Sequence, residues 1–126
     1  MTLRNPLANA HNHGAAGDGV GHWWAQRFSA ILLAGLTLWL VLAMGSVIGA
    51  SHADASAWLS EPFNAAMAIL FVVTSLYHAK LGLQVIIEDY VHVRPAEVAL
   101  QLLVKVAMIL AGLLAVLAIL NVAFGA

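Results

Sequence analysis

Residues 78–92 read HAKLGLQVIIEDYVH, and the rest of the chain is arranged around this stretch. It opens with a histidine inside an apolar run and closes on the acidic-aromatic pair Asp89-Tyr90. On a helix turning about 100° per residue, Gly82, Val85 and Asp89 return to within about 50° of the direction of His78. Gly82 then leaves an open groove one turn from the imidazole, where a flat group can approach the backbone. Tyr90 lies about 18 Å further along the axis, a little over half the thickness of a bilayer core. One helix thus carries a histidine near mid-membrane and a polar aromatic site at the interface.

Outward from this stretch the composition agrees. Of 126 residues, 63% are hydrophobic and only 9% are charged. A soluble domain of this size needs a far more polar surface, so the chain reads as an all-α integral membrane protein. A net charge of −1 with no basic cluster excludes nucleic acid as a partner. The absence of cysteine excludes disulfides and cysteine-held iron–sulfur clusters within this chain.

Before the stretch, residues 1–22 form a polar tail without periodicity. His11 and His13 in it have no cysteine or acidic partner at ligand spacing, so a solvated tail is the expected reading. His22-Trp23-Trp24 with Arg27 is an interfacial cluster at the mouth of a first span over 28–49. Small residues at Ala30 and Ala34, and at Gly45 and Gly49, suit close approach of another helix. A loop over 50–61 leads to Ser60, the expected N-cap of a second span over 62–87 that starts at Pro62. Residues 88–95 form the second loop. A third span over 96–124 carries Ala107, Ala111, Ala115 and Ala118 as a packing stripe. The domain description is therefore a tail (1–22) and a three-helix membrane anchor (23–126). Arg4 and Arg27 precede the first span and Arg94 separates the second from the third, which predicts a cytoplasmic N-terminus.

Three places carry candidate chemistry. His78 is costly in an apolar span unless satisfied. It serves either in an interhelical hydrogen bond or as an axial ligand of a b-type haem lying against Gly82. One deep histidine supplies one axial ligand, so the other has to come from another subunit. Asp89-Tyr90 is either a plain helix end or a quinone head-group site, with the phenol donating to a carbonyl and the carboxylate orienting it. Arg27 either snorkels or neutralises haem propionates and helps hold Asp89. Ser29 is read as bonding its own helix backbone. Lys80 points about 200° away from His78 and is read as snorkelling or pairing with a neighbouring subunit.

At this point the residues resemble a known family, the small hydrophobic membrane anchors of succinate dehydrogenase (respiratory complex II). The H-x-x-x-G spacing of His78 and Gly82, followed by Asp89-Tyr90, is similar to that family's second-helix signature. HWWAQRFSAILLAGL (22–36) is similar to its first-helix opening. The likeness is to alphaproteobacterial and mitochondrial forms and covers about residues 22–105. It implies a multi-pass subunit of the inner (cytoplasmic) membrane, in a complex where a flavoprotein with FAD oxidises succinate and an iron–sulfur subunit passes electrons to ubiquinone. It also implies a partner, a second membrane anchor of cytochrome b type, with haem b held between the two anchors. By that resemblance His78 is the haem ligand, with Gly82 beside the haem and Arg27 near the propionates. Tyr90 contacts the quinone with Asp89 beside it, and Lys80 inherits no role. Rival readings are a fumarate reductase anchor, a purely structural anchor, and a proton-conducting protein relaying through His78, Lys80 and Asp89. The phase of Lys80 disfavours the last.

Overall fold

The computed structural model describes residues 18–125, so Arg4, His11 and His13 lie outside the described residues, as does most of the expected tail. The chain forms four helices: α1 (Asp18–Val47), α2 (His52–Ser60), α3 (Pro62–Tyr90) and α4 (Arg94–Phe124). Among the described residues there are no strands. Three helices, α1, α3 and α4, are long and apolar enough to cross a membrane. The 29 residues of α3 extend about 44 Å, against a hydrocarbon core of about 30 Å.

The boundaries differ from expectation in physically readable ways. Helix α1 starts at Asp18, ahead of Phe28, so His22, Trp23 and Trp24 stand on the helix and not before it. It ends because Gly49 takes a left-handed φ of 83°, and the last carbonyls are met by the N–H groups of Ile48 and Ala50. The segment expected as a loop contains α2. Its N-cap is Ser51, whose hydroxyl oxygen accepts from the Asp54 N–H at 3.2 Å and donates to Asp54 Oδ2 at 2.7 Å. Ser60 is not an N-cap. It is the last residue of α2, and its hydroxyl lies 2.8 Å from the Ser56 carbonyl and 3.2 Å from that of Val122 on α4. The extended backbone that caps α3 belongs to Glu61, and Pro62 occupies the first turn without needing a partner for an N–H. At the other end α3 runs on through Glu88, Asp89 and Tyr90, leaving Val91-His92-Val93 as the connection to α4.

Helix α3 is the middle of a row. Helices α1 and α4 each pack against it and do not touch each other. The buried residues, Ser29 and Leu36 on α1 and Ala65, Thr74, Leu81 and Ile87 on α3, lie mainly along the α1–α3 seam. Helix α4 contributes none. Helix α2 lies across the end of the row, with Trp58 stacked on Trp39 at 6.1 Å and its carbonyl accepting from Asn64 Nδ2 at 2.9 Å. The small-residue stripes are not seams within this chain: Ala30, Ala34, Gly45, Ala107, Ala111 and Ala118 are exposed. Close approach of α4 to α3 occurs instead at Gly112, where a Cβ would meet Leu76 Cδ1 at 3.4 Å.

Candidate functional site

His78 sits on the face of α3 that meets α1, half-buried, and α1 satisfies both of its ring nitrogens. Nδ1 lies 2.9 Å from Ser29 Oγ, and Nε2 lies 3.4 Å from the Gln26 side-chain amide nitrogen. Ser29 is buried, and its hydroxyl donates to the Gln26 backbone carbonyl at 3.1 Å. A hydroxyl has one hydrogen, so toward His78 the same oxygen acts as acceptor. With the hydroxyl hydrogen on the Gln26 carbonyl, the matching tautomer of a neutral ring has its proton on Nδ1 and its lone pair on Nε2, the nitrogen that faces Gln26.

The space beyond Nε2 is framed by the two helices. A Cβ at Gly82 would meet only Gln26 Nε2, at 3.8 Å. From there a cleft of about 670 Å³ opens between His22, Trp23 and Gln26 of α1 and Gly82, Val85 and Glu88 of α3. Among the described residues, two buried polar atoms, Gln26 Oε1 and His22 Nε2, have no hydrogen-bond partner. His22, Gln26 and Ser29 recur at helical spacing, so they form one polar stripe on an apolar helix. That stripe is a sequence signal for the α3-facing side of α1. Of these residues the sequence reading had singled out Ser29 and placed His22 at the interface; Gln26 went unnoticed.

The other expected site residues are not gathered here. Arg27 points out of the row and lies over the Trp23 ring, 5.3 Å from its centroid. Asp89 and Tyr90 occupy the last turn of α3, both exposed, with Tyr90 at 79%. Among the described residues no hydrogen bond or ion pair joins Arg27 to Asp89, and the one ion pair is Arg94–Glu97 at 3.5 Å. Lys80 takes the opposite side of α3 from His78, as its phase requires, and donates to Gln84 Oε1 at 3.1 Å. Gln84 in turn donates to Glu88 at 2.9 Å.

Among the described residues no group of three or more His, Asp or Glu side chains is placed to hold a metal ion. A haem needs no such cluster, only a neutral imidazole with a free lone pair and room for a flat ring. The donor set fits that group. Ser29 holds Nδ1 of His78 at 2.9 Å, Nε2 is engaged only by a replaceable amide at 3.4 Å, and Gly82 presents no side chain beside it.

Residues 1–118 match the family model described as succinate dehydrogenase/fumarate reductase transmembrane subunit. A protein of Rickettsia bellii, named succinate dehydrogenase hydrophobic membrane anchor subunit, is 37% identical over 86% of both chains. The succinate dehydrogenase membrane anchor subunit of Reclinomonas americana is 37% identical over 71% of this chain and 77% of its own. A hydrophobic membrane anchor subunit of succinate dehydrogenase from Paracoccus denitrificans is 32% identical over 71% and 70%, respectively. No solved structure matches.

Proposed function

Because the chain belongs to the succinate dehydrogenase/fumarate reductase transmembrane subunit family, we propose that it anchors a succinate:ubiquinone oxidoreductase in the inner membrane and contributes to its haem and quinone sites. The relatives' names favour succinate oxidation over fumarate reduction. In this reading FAD and the iron–sulfur clusters reside in the flavoprotein and iron–sulfur subunits, and a second anchor of cytochrome b type faces α1 and α3. The N-terminus and the α3–α4 connection lie on the cytoplasmic side, as Arg27 and Arg94 favour.

The observation that supports the haem assignment is the Ser29–His78 contact at 2.9 Å, which suits a ring with Nδ1 held by the hydroxyl and Nε2 turned to the Gly82 side. A haem b bound there supplies one-electron redox chemistry close to the quinone. The residues of this chain have simpler tasks. His78 presents its lone pair, Ser29 holds the ring, and Gln26 yields its place at Nε2. Gly82 admits the macrocycle edge. Arg27, the free cation nearest in sequence to this face, pairs with a propionate. In this reading His78 would supply one ligand to the iron and the partner anchor another.

The quinone assignment rests on Asp89 and Tyr90 at the cytoplasmic end of α3. Their side chains are exposed on this chain, as groups completed by a neighbouring subunit would be. The Tyr90 hydroxyl donates to a quinone carbonyl, and Asp89 orients that donor and passes protons.

Replacing His78 with Leu in the assembled complex tests the central claim. The low-spin b-type spectrum is expected to disappear or shift, while succinate oxidation with a soluble dye persists. An unchanged spectrum would place the ligand elsewhere.

A further inference from the structure

On the side of α3 away from His78, two cations lie within the spans and, among the described residues, pair with no anion. Lys80 is half-buried and bonded to a neutral group, the Gln84 carbonyl oxygen at 3.1 Å. Lys105 on α4 is exposed and, among the described residues, has neither a hydrogen bond nor an ion pair. Among the described residues, none of the carboxylates nearer the helix ends pairs with either lysine. Glu88 accepts from Gln84 and Gln101 at 2.9 and 3.4 Å, and Glu97 accepts from Gln101 at 3.3 Å and pairs with Arg94. A lysine inside a span is costly unless an anion or a route to the head-group layer satisfies it.

The two lysines stand at one level. Lys80 lies about 15 Å along α3 from Tyr90, and Lys105 about 16 Å along α4 from Arg94. Both helices outrun the hydrocarbon core by about 14–16 Å. With the excess shared between their ends, the lysine backbones lie about 8 Å below the core boundary, a depth that their stems largely span by snorkelling.

Both side chains also line two adjoining cavities between α3 and α4. One, of about 460 Å³, is apolar and runs from the lysines away from the Tyr90 end, between Val73 and Leu76 of α3 and Ile109 and Leu113 of α4. The other, of about 240 Å³, lies on the Tyr90 side of the lysines and includes Gln84 and Gln101. From the membrane interior outward, the order is therefore apolar groove, cation pair, polar opening. A phospholipid entering from the leaflet at the Tyr90 end presents its parts in that order.

We propose that this groove binds one anionic phospholipid, with its phosphate between Lys80 and Lys105 and an acyl chain along the apolar cavity. Two cations that pair with no carboxylate among the described residues favour a head group of net negative charge. An acidic side chain from a partner subunit would answer the lysines but leave the apolar groove unfilled. The site lies on the opposite side of α3 from His78 and stands independently of the haem and quinone assignments.

The test uses the assembled complex in nanodiscs of phosphatidylglycerol and phosphatidylcholine, with retained lipids counted by native mass spectrometry after release into mild detergent. The wild type is expected to retain one phosphatidylglycerol that K80Q/K105Q does not. At about 1 kcal/mol per lysine, its preference over phosphatidylcholine is on the order of 30-fold. Ile109→Trp keeps both charges and fills the groove from an exposed position, so it is expected to lose the same lipid. Should the double lysine variant fail to assemble, Ile109→Trp alone decides. Equal retention of the two lipids by the wild type, or wild-type retention in either variant, overturns the proposal. So does dissociation of the membrane anchors in K80Q/K105Q while Ile109→Trp keeps its lipid, because the lysines would then be pairing with a neighbouring protein.

Discussion

Ser29 touches both the carbonyl of Gln26 and Nδ1 of a ring on another helix, and a hydroxyl hydrogen spent on the carbonyl selects the tautomer of His78 with its proton on Nδ1. Ser29→Ala leaves His78 Nδ1–H without its acceptor and frees the imidazole to turn. Loss of such an outer partner typically lowers metal-site affinity by about 10–100-fold. The expected result is a falling haem-to-protein ratio and a displaced midpoint potential in Ser29→Ala, with recovery in Ser29→Thr, which keeps the hydroxyl. Wild-type haem content and potential in Ser29→Ala would make the contact incidental to the haem. Tyr90 poses the complementary test, since it is exposed and its ring does not depend on internal packing. Tyr90→Phe removes the hydroxyl alone. If that hydroxyl donates to a quinone carbonyl, the bond strengthens as charge develops on the oxygen, so its loss is felt chiefly in turnover. Removing one donor of this kind costs about 10²–10³ at a preorganised site, and a wet interfacial site belongs at or below the low end. Quinone reduction should therefore fall while dye reduction, haem content and assembly hold. A parallel fall of both activities would mark Tyr90 as a packing residue.

Among the elements, α2 is the one whose stability rests on a few named contacts. Ser51 caps it through Asp54, Trp58 stacks on Trp39, and Ser60 reaches the Val122 carbonyl. Removing an N-cap of this kind costs about 1 kcal/mol, which corresponds to roughly fivefold faster amide exchange through local opening. Ser51→Ala should therefore speed exchange over residues 54–60 and leave α3 unchanged. Equal exchange would mean that the tryptophan stack, and not the cap, holds α2 in place. This helix was illegible beforehand because the stretch over 52–60 lacks an apolar run and reads as part of a loop; Ser60, its last residue, reads as the N-cap of the next span, one residue ahead of Glu61. The three long helices were legible because a membrane span announces itself by length and hydropathy, although their ends were not. Glu88 to Tyr90 look like a polar loop in the sequence yet continue α3, since an interfacial turn does not require apolar residues. The site was half legible for a related reason. His78 and Gly82 share one helix, so spacing alone pairs them. Gln26 and Ser29 meet them only once the face of α1 that packs on α3 is known, and a helix that is apolar nearly all round conceals that face behind a three-residue polar stripe.

At the scale of the whole molecule, a row of three spans is half of an arrangement. Exposed leucines and valines do not show this, since lipid tails are as apolar as they are and give helices no hydrophobic reason to associate. The polar groups do. On the proposed haem assignment His78 would offer one of two axial ligands; among the described residues Arg27 and Asp89 face outward without an ion pair, and small residues on α1 and α4 are exposed. Among the described residues, no side chain is fully enclosed. A second anchor packed on the face of α1 and α3 would supply the missing ligand, cover the His22–Gln26–Ser29 stripe and bring counter-charges to Arg27 and Asp89. The chain expressed without that partner should therefore insert into the membrane but accumulate poorly and carry little haem. Co-expression with the partner should restore both properties. Pulse-chase lifetime and haem spectrum, measured on the same membranes, separate insertion from assembly. Short lifetime with haem absent is the expected pair of results. Recovery of a long-lived, haem-loaded single chain would mean that both axial positions are filled without a partner, and the shared-ligand arrangement would have to be abandoned.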